Sequence, residues 1–177
     1  MKSVLISIRP KWCELIASGR KTIEVRKTYP KLPTPFKCYI YCTKDKWLSF
    51  WKSKTYAYAD DRSHNMFDIR GNGKVIGEFV CDLIGLHPGT DVPSSCVPIE
   101  ELKKYANGKM LARWHISDVK IYDKPKELGS FWKAGKCPYA AESGCTYEYH
   151  CFRAGQTQRC GETLTRPPQS WCYVDAE

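Results

Sequence analysis

Apolar positions along this chain recur at two spacings, and the switches between them predict its elements. Residues 2–8 are mostly apolar with two interposed serines, the pattern of a buried strand. An amphipathic helix follows over 9–17: Pro10 suits its first turn, Trp12, Leu15 and Ile16 form the apolar stripe, and Gly19 ends it. Over 21–27 the period drops to two, so Ile23 and Val25 point one way while Thr22, Glu24 and Arg26 point the other. Pro30, Pro33 and Pro35 make an extended loop, and 36–42 is rich enough in aromatic and β-branched residues to be a third strand.

Residues 44–73 are polar and aromatic, with Trp47, Phe50, Trp51, Tyr56 and Tyr58, and end in Gly71-Asn72-Gly73. A short helix near 46–52 and then an irregular, lid-like loop are expected there. Residues 74–86 and 111–122 each read as one long strand, the second ended by Asp123-Lys124-Pro125. Between them, 98–105 reads as a short helix with Glu100 and Glu101 in its first turn, where acids suit the dipole, stopping at Asn107-Gly108. Residues 171–174 form a closing strand. Some six strands with a few short helices predict a small mixed β-barrel of the α+β class.

A length of 177 residues suits a single domain, 1–177, with a proper core. No apolar run approaches eighteen residues, and the apolar start is too short for a signal peptide, so a cytoplasmic protein with no membrane partner is expected. The net charge is +9, and its distribution says more than its size. Residues 1–50 hold eleven Lys and Arg against Glu14, Glu24 and Asp45, a net of +8. Such a localised basic excess is the electrostatic footprint of a nucleic-acid partner; solvated surface lysines are the plainer alternative.

The chemistry candidates lie beside that excess. Gly19-x-Lys21-x-x-Glu24-x-Arg26 puts a carboxylate and a guanidinium on one strand face with an ammonium at its mouth. Such a set can grip a polar planar ligand, or it can be a solvent-facing ion pair. His115 and Ser117 share the other face from Trp114, Ile116 and Asp118, and could meet a base edge or a phosphate. Their rival role is structural. Near the C-terminus Gln169 offers a donor and an acceptor, and Trp171 a stacking ring, unless Trp171 and Tyr173 simply close the core. Of the ten cysteines, Cys13, Cys38, Cys42 and Cys81 sit among apolar residues and are expected in the core. Residues 131–166 look like an insertion carrying Cys137-x7-Cys145-x5-Cys151-x8-Cys160, with His150 beside Cys151. Too polar for a core of its own, this segment would gain order from tetrahedral Zn2+ held by those four thiolates; incidental thiols are the alternative. It could also dock a protein partner.

The motif at 19–26, with Lys74-Val75-Ile76-Gly77-Glu78-Phe79, the 114–118 block and Pro167-Pro168-Gln169-Ser170-Trp171-Cys172-Tyr173-Val174, resembles the ASCH domain of bacterial or phage type. The resemblance reaches from residue 2 to 174, apart from the insertion, and implies a PUA-like β-barrel. It implies RNA, or a modified nucleotide, in a cleft lined by Lys21, Glu24 and Arg26 with help from His115, Ser117, Gln169 and Trp171. Arg9, Lys11, Arg20 and Lys27 would hold phosphates. Small relatives of the domain deacetylate N-acetylated cytidine with a Lys and a Thr in this segment, so an amidohydrolase, or a ribonuclease, is the rival reading. Lys21 is present, but Glu24 stands where the Thr would be and Thr22 lies two residues away. That departure counts heavily against the same covalent mechanism, while Glu24, paired with Lys21, could still act as general base on a water. The cysteine rhythm resembles RNA-binding zinc fingers with three Cys and one His, but Ala154 occupies the histidine position.

Overall fold

The nearly unbroken apolar run at the start becomes β1 (Lys2–Ile8), buried at every position after its first. The computed structural model describes residues 2–46, 50, 71–89, 91–134 and 162–175. Along them follow α1 (Pro10–Ala17), β2 (Ile23–Arg26), β3 (Phe36–Cys42), β4 (Val75–Cys81), β5 (Ile84–His87), α2 (Ile99–Ala106), β6 (Leu111–His115), β7 (Ser117–Lys126) and β8 (Trp171–Asp175). The larger sheet runs β7-β4-β3-β1-β8, with β1 and β3 parallel and the other pairs antiparallel. The smaller sheet, β2-β6-β5, is antiparallel throughout. Together they make the barrel-like α+β arrangement that the periodicities predict.

Two predicted strands are each divided. The 74–86 run breaks at Asp82-Leu83 into β4 and β5, and the 111–122 run breaks at Ile116 into β6 and β7; each half joins a different sheet. The breaks face each other, since Val80 pairs with Ser117, and His115 N–H donates to Leu83 C=O at 2.9 Å. Asp118, with φ of 48°, turns the second chain through the corner. Apolar residues continue on both sides of the bend, so alternation alone does not reveal it. β7 also runs past its predicted stop through Pro125, which an edge strand tolerates because its missing N–H faces no neighbour.

The main core lies between the sheets and includes Ile6, Ile40, Phe79 and Trp114. Cys13, Cys38, Cys42 and Cys81 are all there, fully buried, as expected. Burial raises the thiol pKa of Cys13 and Cys38 well above the ordinary value and pushes that of Cys81 up to about 12. A second cluster, with Leu5, Tyr39, Val75 and Val174, is closed by Phe131 and Leu164. The third packs Val25 and Ile23 of β2 against Leu102 and Ala106 of α2.

Phe131 and Leu164 flank the cysteine-rich segment. Around them Trp132 pairs with Thr163, Lys133 N–H donates to Glu162 C=O at 2.9 Å, and Leu164 N–H donates to Phe131 C=O at 2.8 Å. The chain thus leaves and re-enters the body at one place. The short helix expected near 46–52 and the aromatic run after it lie outside the described residues, save for Phe50, which is buried. Among the described residues no helix is long and apolar enough to cross a membrane.

Candidate ligand cleft at the ends of β1 and β2

β2 is built inside out. Its apolar residues face α2, and its polar face looks into the barrel, where Glu24 stands opposite Trp114 and Arg26 opposite Ala112. Both partners are fully buried, and Glu24 itself is 6 % exposed. A solvent-facing ion pair is therefore not what the chain makes.

Lys21, 2 % exposed, anchors the group. Its Nζ donates to Ile23 C=O at 2.8 Å and Ser95 C=O at 2.6 Å, and lies 3.2 Å from Glu24 Oε2. Two of the ammonium's three protons thus go to backbone carbonyls, and the Glu24 carboxylate stands at ion-pair distance. Arg26 Nη2 donates to Ser7 C=O of β1 at 2.6 Å, tying the small sheet to the large one. Arg26 Nε sits 3.0 Å from Glu24 Oε1, yet its N–H is not directed at that oxygen, so the contact is an ion pair without a hydrogen bond. Two cations thus flank one buried carboxylate, which offsets the cost of taking all three out of water.

Above this floor opens a cavity of about 390 Å³. That is toward the small end of ligand sites and of the order that one nucleoside needs. Ser7, Arg9 and Thr43 line it from the β1 and β3 side, Gln169 and Ser170 from the approach to β8, and Trp12 and Tyr105 from α1 and α2. Lys11 lies 4.1 Å from the Trp12 ring centre and 3.9 Å from Glu101 of α2, spanning the two helices at the rim. Lys27 stands 4.9 Å over the Tyr105 ring.

Of the residues singled out from sequence, Lys21, Glu24, Arg26, Arg9 and Gln169 line one cavity. Lys11, Arg20 and Lys27 are exposed and do not line it, though Lys11 and Lys27 contact its aromatic walls. His115 and Ser117 lie elsewhere, at the corner between the sheets. There His115 Nδ1 meets Asp82 Oδ1 at 2.6 Å and Ser117 Oγ donates to Val80 C=O at 3.0 Å. Trp171 packs edge-on against Trp114 and Tyr173, with its Nε1 donating to Thr28 Oγ1 at 3.0 Å, so its ring serves the core. Cys137, Cys145, Cys151 and Cys160 lie outside the described residues, and among the described residues no cluster of three or more potential metal ligands occurs. The α2 side of the cavity, Glu101, Leu102 and Tyr105, has no signal in sequence: only the tertiary packing of Val25 against Leu102 brings it over β2.

A family model described as the ASCH domain matches residues 6–155. Among solved structures, ASCH from Zymomonas mobilis aligns with a TM-score of 0.54 at 15 % identity, covering 98 % of this chain and 87 % of that one. A Tyr-to-Phe variant of the same protein gives 0.55 at 15 %, covering 99 % and 91 %. A Ser-to-Ala variant gives 0.55 at 16 %, covering 98 % and 88 %. At such identities the likeness is one of fold. No curated protein matches the chain.

Proposed function

The chain belongs to the ASCH domain family, of PUA-like fold, and from that premise we propose that it binds single-stranded RNA by taking one base into the cleft, or binds the same base as a free modified nucleoside. The observation that carries this reading is the buried Lys21 and Glu24, with partly buried Arg26, at the floor of a nucleoside-sized cavity with aromatic walls. Glu24 accepts from the base edge, Arg26 donates to it, and Trp12 or Tyr105 stacks on its face. Arg9 at the lining, and Lys11, Arg20 and Lys27 outside it, meet the phosphates.

Hydrolysis of an N-acylated cytidine, or of RNA, is the second reading, favoured by a lysine and a carboxylate 3.2 Å apart in a cavity. Against it, Lys21 gives hydrogen bonds to two backbone carbonyls and turns its charge to Glu24 as an ion pair, an arrangement that suits holding the carboxylate in place better than moving a proton. The test is titration of the protein with labelled single-stranded RNA, double-stranded RNA and DNA, with a parallel assay for product. Tightest binding to single-stranded RNA, with no turnover, is the expected result. Product formation that Glu24→Gln abolishes while binding persists would transfer the assignment to the hydrolase.

A further inference from the structure

Three charged side chains of fixed position form the cleft floor. Each Glu24 oxygen faces one cation, Oε2 toward Lys21 and Oε1 toward Arg26. A carboxylate oxygen has two acceptor directions, so each keeps one for a ligand. Beside them stands a guanidinium that commits Nη2 to Ser7 C=O and leaves Nη1 without a hydrogen-bond partner among the described residues. Read along the floor, the sequence is acceptor, acceptor, donor.

We infer, resting on the reading of this cleft as a base pocket, that it selects a guanine-type edge. That edge presents an exocyclic amino group, an adjacent ring N–H and then a carbonyl, which is the complement of the floor. The amino group and ring N–H meet the two Glu24 oxygens, and the carbonyl meets Arg26. Adenine and cytosine each set a ring acceptor beside the amino group, turning a lone pair toward one carboxylate oxygen. Uracil flanks its single N–H with two carbonyls and does the same. A buried acceptor left facing a lone pair loses its hydrogen bond and keeps the desolvation cost. The second Lys21 acceptor, Ser95 C=O, and the Ser7 C=O that holds Arg26 fix both charged groups from the backbone, so the pattern is rigid before the ligand arrives.

The experiment is calorimetric titration of the full chain with the four ribonucleoside 5′-monophosphates and inosine 5′-monophosphate at one low salt concentration. Guanosine monophosphate is expected to bind about tenfold or more tightly than the adenosine, cytidine and uridine forms, with inosine between because it lacks the amino group. Glu24→Gln should remove that preference while retaining weak binding of all five. Should that variant fail to fold, 1-methylguanosine monophosphate tests the same point on the unaltered protein, since its ring N–H is gone and its affinity should drop to that of the other bases. Equal binding of all bases, or preference for another, overturns the inference and leaves the base pocket standing. Binding of none of them overturns both.

Discussion

Lys21 is a lysine with almost no water contact, and its ammonium is held by two carbonyls and one carboxylate. Removing one member of such a buried set leaves the others short of compensation, so Lys21→Met should destabilise the fold by about 3–5 kcal/mol. Urea denaturation measures this. Adding Glu24→Gln should deepen the loss, because Arg26 then stands without a counter-charge in a largely buried place. Sequence alternation shows that Glu24 and Arg26 share a face, but not which face is buried. α2 decides that by covering Ile23 and Val25, and α2 lies some seventy residues away. His115 illustrates the reverse problem: its acid partner Asp82 sits on another strand, at no fixed spacing. The hydrogen bond from His115 holds the Asp82 carboxyl below its ordinary pKa of 3.8. A depressed folded-state pKa contributes stability above the unfolded value and loses it as pH falls through the folded one. NMR titration should therefore place the Asp82 midpoint below 3.8, and His115→Ala should return it toward that value.

At the scale of elements, β1, α1, β3 and α2 were legible because each carries a consistent period with a clear stop. The divided strands were not, because a corner between two sheets preserves alternation on either side. Gly77 marks one contact behind this: a Cβ there would press into Lys120 C=O, so β4 and β7 approach too closely for a side chain. The cysteine-rich segment can be tested as an element of its own. Lys133 and Glu162 already pair through backbone and side chain, the latter at 2.7 Å. Replacing residues 136–160 by a short Gly/Ser linker should therefore leave cooperative unfolding and RNA affinity nearly unchanged. Loss of cooperative unfolding would show instead that the segment supports the core.

For the molecule as a whole, five of the eleven basic residues in 1–50 meet at one cavity: Arg9, Lys21 and Arg26 line it, and Lys11 and Lys27 touch its walls. If Arg9, Lys11, Arg20 and Lys27 meet phosphates, affinity for single-stranded RNA should fall roughly 50-fold between about 50 and 200 mM salt, and Arg9→Ala should flatten that slope. An affinity indifferent to salt would remove the phosphates from the account. Whether a base enters this cleft is tested most directly by a map of amide chemical-shift changes on adding a short single-stranded RNA. Shifts should centre on Ser7, residues 21–26, Tyr105 and residues 169–170, and spare the corner at Asp82 and His115. Binding whose shifts fall at that corner, or anywhere away from Glu24 and Arg26, would contradict it.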